Sequence, residues 1–219
     1  MLCVFWGNVE AKKKFVPLCE NASWDFVGIR ISADRSETTR YNYNETIIGT
    51  RKIGALSYYI LRGLSDEDPE NPSFTLIRES NDSIFTILRL EDFGEFELLI
   101  SPGLGKKRNL WRLMKDTVFV WQEDGLFYHL KFCGLGVFRG EKKLSTRFGR
   151  KKTFIVDNIY SQELVITDAE GDTLLWDNKE ELHQLYLVPG LGPVKNTEID
   201  AIGTTRIEEL NSYSIPKWK

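Results

Sequence analysis

Only two histidines, His129 and His183, and three cysteines, Cys3, Cys19 and Cys133, occur in the chain, so its commonest catalytic bases and soft metal ligands are scarce. A hydrolytic triad needs a nucleophile, a base and an orienting acid within hydrogen-bond reach, and here the base has to be one of those two imidazoles. His129 falls in Leu126-Phe127-Tyr128-His129-Leu130, a strand pattern, and His183 falls in what reads as a charged turn. No Gly-x-Ser-x-Gly elbow is present, and no Cys-x-x-Cys spacing offers a zinc site. No catalytic, cofactor-binding or metal-ligating residue is assigned, and the chain reads as a non-enzyme.

Carboxylates are plentiful, with 32 Asp and Glu. Glu95 and Glu97 lie two apart, on one face of a strand, as the paired acids of a glycosidase could. In so acidic a chain a solvated strand face is the plainer meaning of such a pair. Asp66-Glu67-Asp68 and the stretch 168–172 offer oxygen ligands but lack the closing Glu of a calcium loop. The 29 basic residues leave a formal charge of −3. Lys106-Lys107-Arg108 and a looser basic stretch over 139–152 are too short to serve as a nucleic-acid tail, so no nucleic-acid partner is expected.

Residues 1–11, MLCVFWGNVEA, read as the remnant of a secretory signal peptide, with an apolar run before Val9-Glu10-Ala11. Cleavage after Ala11 would remove Cys3 and leave Cys19 and Cys133, an even pair able to form a disulfide in an oxidising compartment. No apolar run reaches the ~20 residues of a spanning helix, so no transmembrane segment is expected.

Residues 12–219 read as one antiparallel β domain, because β-branched and aromatic runs recur between clusters of Gly, Asn, Asp and Pro. Strands are expected over 24–32, 46–49, 55–61, 74–78, 84–90, 95–100, 116–122, 126–132, 152–156, 163–168, 173–176, 185–188 and 204–213. Gly28 is expected at a bulge, 66–72 as an acidic loop, and Glu123-Asp124-Gly125 as a tight turn. Two short helices are expected at 109–115 and 178–185, the second capped by Asp177. Apolar and polar residues alternate within the strands, so the sheet should have one wet face. Six tryptophans, among them Trp24, Trp111, Trp121 and Trp176 beside strands, would fill a core or line an apolar cavity.

Pro102-Gly103-Leu104-Gly105 recurs as Pro189-Gly190-Leu191-Gly192, each time after an apolar strand. A phosphate loop would need a following helix and a Lys-Ser or Lys-Thr pair, so both copies read as structural turns. In order along the chain stand Phe15-Val16-Pro17-Leu18 with Asn21-Ala22-Ser23-Trp24, Ile47-Ile48-Gly49 leading to Tyr58-Tyr59-Ile60-Leu61, and Thr75-Leu76-Ile77-Arg78 with Asn81-Asp82. The last such segment is Tyr186-Leu187-Val188-Pro189-Gly190-Leu191-Gly192-Pro193-Val194-Lys195, followed by 206–213. Together these resemble a loosely defined group of secreted bacterial β proteins, many of them lipoproteins, with a "Pro-Leu, gap, Asn-x-Trp" opening and a "Tyr-x-Ala-Pro-Gly-Val-Gly-x-Val-Lys" close.

The resemblance implies extracytoplasmic placement and a mostly β fold, a single antiparallel, strongly curved sheet or open half-barrel of the LolA/LolB or lipocalin kind with few short helices. It supplies no catalytic residue and no cofactor. The function expected is a noncatalytic binding or structural role in the cell envelope, with an apolar or lipid-like ligand held in the curved sheet or an envelope protein as partner. A carboxylate-dependent hydrolase and a protein-binding module using an exposed strand edge are the alternatives.

Overall fold

The computed structural model describes residues 16–81, 83–90, 94–102 and 109–216. Thirteen strands form one antiparallel sheet. They are β1 (Ser23–Ile31), β2 (Thr38–Ile53), β3 (Leu56–Ser65), β4 (Asp68–Ser80), β5 (Ser83–Leu90), β6 (Gly94–Ser101), β7 (Leu110–Arg112), β8 (Thr117–Glu123), β9 (Leu126–Thr146), β10 (Gly149–Thr167), β11 (Thr173–Val188), β12 (Gly192–Ile199) and β13 (Thr205–Ser214). The order is β6-β5-β4-β3-β2-β1-β13-β12-β11-β10-β9-β7, with β8 also on β9, so consecutive strands from β1 to β6 and from β8 to β13 are neighbours in the sheet and β1 meets β13.

The two ends of this sheet almost meet. Leu99 N–H of β6 donates to Leu113 O at 2.8 Å, the Trp111 indole donates to Leu99 O at 2.8 Å, and Leu113 N–H donates to Gly134 O of β9 at 2.9 Å. These bonds occupy backbone groups that an open sheet would leave unpaired. The result is a strongly curved, nearly closed barrel.

Glycines under aromatic rings permit that curvature. Gly28 pairs with Tyr41 and Gly136 with Trp111, and in each case a Cβ on the glycine would overlap the partner's ring. Gly63, paired with Glu45, lies under the hydroxyl end of Tyr43 two residues along β2, where a Cβ would also overlap it. The ring covers the bare backbone and lets neighbouring strands bend toward it. Gly28 is therefore no bulge: β1 alternates straight through it, and the register shift opposite Asp25 and Phe26 lies on β13. The face turned inward carries the core, including Trp24, Phe26, Ile47, Leu113, Val156, Leu187 and Leu210.

Several sequence expectations change. Among the described residues there is no helix. Residues 178–185 lie within β11, paired with β10 from Phe154↔Leu187 to Thr167↔Thr173, and 109–115 holds the short strand β7. Helix propensity is a weak prior that a long ladder overrides, and Asp177 caps nothing, lying in the strand 3.4 Å from Lys179. The acidic stretch 66–72 is mostly strand, opening β4 after a two-residue turn. β12 was not expected, and β2 and β9 run well past their expected ends. The turn at Asp124 and Gly125 is present, with φ of 51° and 80°, as a two-residue hairpin between right-twisted strands requires.

Candidate functional site

A cavity of about 460 Å³ opens inside the curved sheet. Its apolar wall comes from strands far apart in the chain: Leu61 of β3, Ile77 of β4, Ile84 and Ile87 of β5, Leu98 and Ile100 of β6, and Leu185 and Leu187 of β11. Trp24 and the segment Val16 to Leu18 close it on another side. Strand alternation puts Leu61, Ile77, Ile84, Leu98, Leu185 and Leu187 on one face, with Ile87 on the other face of β5, and sheet curvature makes the shared face concave. Trp24 is held by its indole N–H, which donates to Leu191 O at 2.7 Å in the turn between β11 and β12.

Six polar side chains interrupt the apolar lining: Glu45 on β2, Thr75 on β4, Thr86 on β5, Tyr160 on β10, and Glu181 and His183 on β11. Glu45 is enclosed by protein yet half-buried by surface, because part of it faces the void. Burial and the Glu208 carboxylate push its pKa up to about 7, against the pull of Tyr43, whose hydroxyl donates to Glu45 at 3.4 Å. Burial also raises the pKa of Glu208, which accepts from Tyr41 Oη at 2.9 Å and from Asn196 Nδ2 at 3.4 Å. Across the cavity, burial and then Glu181 raise the Tyr160 phenol, so it stays a protonated donor at neutral pH. The Tyr160 and His183 rings meet edge to face with centroids 5.1 Å apart. His183 Nε2 is buried without a hydrogen bond and lies 3.9 Å from Glu181 Oε2. A smaller cavity of about 230 Å³ shares Leu88, Tyr160 and Glu181 with the large one and adds Met114, Phe132, Cys133 and Lys179.

No family model matches the chain, and no curated protein matches it. Solved structures do. A protein of Parabacteroides distasonis, provisionally described as a lipoprotein, superposes with a TM-score of 0.54 at 9% identity, covering 94% of this chain and 100% of the other. A Bacteroides fragilis protein, provisionally described as exported and with a YmcC-like fold, gives 0.45 at 9% identity over 92% and 99%. A LolA superfamily protein of Nitrosomonas europaea gives 0.31 at 8% identity over 95% and 90%. At these identities the first likeness shows a shared fold.

The remaining sequence candidates scatter. Glu97 is engaged by Arg78 through two bonds, 2.7 Å from Nε and 2.9 Å from Nη2, and by the Tyr58 hydroxyl. The Arg78 guanidinium holds its carboxyl below the usual range. Glu95 lies 3.4 Å from Arg51, so the two carboxylates are ion-pair partners on the sheet rather than a pair facing a cleft. Glu67 pairs with Arg30 at 3.1 Å, and Asp66 accepts from Asn42. Asp168 accepts backbone N–H bonds from Glu170 and Asp172, which makes a turn. Among the described residues, no cluster of three or more His, Cys, Asp and Glu forms a metal site.

His129 is exposed on β9 opposite Val120 and Val165. Cys19 and Cys133 are not bridged to each other: Cys133 carries a free thiol. It sits in β9 beside the smaller cavity, whereas Cys19 precedes β1 and packs on the main core. Pro189, Gly190 and Leu191 make the turn from β11 to β12, with φ of 77° at Gly190 and 91° at Gly192. Pro102 follows β6, while Gly103 and Gly105 lie outside the described residues, as do 1–11 and 106–108. Of the four tryptophans named from sequence, only Trp24 lines the large cavity. Glu45, Tyr160 and Glu181 were missed, and His183 was read as part of a turn. The alternation Glu181-x-His183-x-Leu185-x-Leu187 was the available signal.

Proposed function

We propose that this chain is an extracytoplasmic domain of a bacterial cell envelope, noncatalytic, that holds an apolar, lipid-like molecule inside its curved sheet. The observation that carries the reading is the cavity of about 460 Å³ walled by Leu and Ile. Its size falls within the roughly 300–1,000 Å³ of small-molecule sites, which are mostly apolar with a few placed polar groups. A void of this kind lowers stability when empty, since its walls forgo packing contacts. A ligand would restore them. The engagement of Glu97 by Arg78 and of Glu95 by Arg51 supports a binding role over a carboxylate-dependent hydrolase. The extracytoplasmic assignment draws on the leader-like residues 1–11.

Native mass spectrometry of protein purified without detergent tests the reading. The expected spectrum carries one apolar adduct per chain, or gains one on addition of a long-chain alcohol, and loses it on unfolding. A chain that takes up no such molecule overturns the proposal. A second reading, partner binding at a strand edge, has its own support. Among the described residues, β12 pairs with β11 only over Leu182 to Val188, which leaves 173–181 without a second neighbour, and Trp176 there is 61% exposed.

A further inference from the structure

The polar groups of the large cavity have a common chemistry. Glu45 and Glu181 are carboxylates, His183 Nε2 is buried and makes no hydrogen bond, and no Lys or Arg lines the cavity among the described residues. The lining is rich in acceptors, with the Tyr160 hydroxyl and those of Thr75 and Thr86 as its donors. The Thr86 hydroxyl is already committed to Leu76 O at 2.9 Å. An anionic head would meet like charge in a low-dielectric space, which costs several kcal/mol across an interface. A primary ammonium has three N–H donors, no acceptor and the opposite charge.

We propose that the cavity selects a single-chain amphiphile headed by a protonated primary amine, with the chain against the Leu and Ile wall and the ammonium drawn to Glu45 and Glu181. This rests on the reading of the cavity as a ligand site. Lys179 lines the adjoining smaller cavity, is 52% exposed and already faces Asp177 at 3.4 Å. The charged and titratable groups around Glu45 are Tyr43 on its own strand and Glu208 on β13, itself surrounded by Tyr41, Glu198 and Arg206. Those on the facing wall are Tyr160, Glu181 and His183. An ammonium stabilises ionised Glu45, so amine binding strengthens as pH rises through about 7.

The test is displacement of the neutral dye N-phenyl-1-naphthylamine from the full chain by dodecylamine, dodecanol and dodecanoate, each below its micelle concentration. Dodecylamine should compete at least about tenfold better than dodecanoate near pH 8, and its advantage should shrink toward pH 6. Glu45→Gln and Glu181→Gln together should erase the preference, while the exposed control Glu37→Gln leaves it intact and butylamine fails to compete. Dodecanoate competing as well as the amine, or a preference that survives both substitutions, overturns the inference while leaving the cavity reading standing. A dye that does not bind at all fails the cavity reading itself. Retained dye binding by the double variant shows that it is folded.

Discussion

Trp24 and Trp176 lie in two regions of the same sheet that treat an indole in opposite ways. Around Trp24 the sheet is closed: the ring is 2% exposed, hydrogen-bonded to the β11–β12 turn and set against the cavity. Around Trp176 strands β9, β10 and β11 extend past the end of β12, and the ring is 61% exposed, with its N–H on Glu163 at 3.0 Å. Trp24 stands between Ser23 and Asp25, and Trp176 between Leu175 and Asp177, so each has a carboxylate directly after it. Closure of the sheet, which brings β6 to β7 and β1 to β13, decides which apolar faces become interior. Leu174, Val118 and Val120 share the fate of Trp176 and lie exposed.

Truncation would expose the contrast most sharply. Trp24→Ala should cost about 3–5 kcal/mol and lower the urea midpoint accordingly, because it empties a core site and strips Leu191 O of its donor. Gly136→Ala should cost about 1–3 kcal/mol, since the new methyl overlaps the Trp111 ring that closes the barrel. An unchanged midpoint for Gly136→Ala would mean that the ring does not lie on that backbone.

Glu45 gives a prediction with a definite sign. Its folded pKa, about 7, lies above the 4.5 of the unfolded chain, so between those values the folded state binds the extra proton. Stability therefore falls as pH rises from about 4.5 through 7, and Glu208, shifted the same way, adds to the fall. Glu45→Gln should raise stability by about 1–3 kcal/mol near pH 8 and change it little near pH 4, as read from denaturant midpoints at the two pH values. Smallest of all, Trp176→Ala should stay within about 0.5 kcal/mol. A larger loss would show that the overhanging strands are not the open region described.

The β class and most hairpins were legible in sequence, because strand alternation and turn chemistry are local. Asp124-Gly125 is such a case: both residues must take positive φ, and their types say so. The site was less legible. Asn178-Lys179-Glu180-Glu181-Leu182 looks helical in composition, and only its ladder with β10 makes Glu181 and His183 alternate members of a strand. Glu45 and Glu181 are separated by 136 positions, and β1, β13 and β12 stand between their strands in the sheet. Their meeting in one lining depends on the barrel's curvature, which no short window contains. Gly28 shows the same limit: its type was visible, but its task of receiving the Tyr41 ring follows from the pairing of β1 with β2.

Titration of the full chain with N-phenyl-1-naphthylamine, for the native protein and for two variants that obstruct the cavity, tests its role most directly. Leu88→Trp would fill the void from β5, and Thr75→Trp would block it from the exposed side of β4. The account predicts one saturable dye site per chain, lost in both variants while each still unfolds cooperatively. Equal binding by the native protein and both variants, or no binding by any of them, would contradict it.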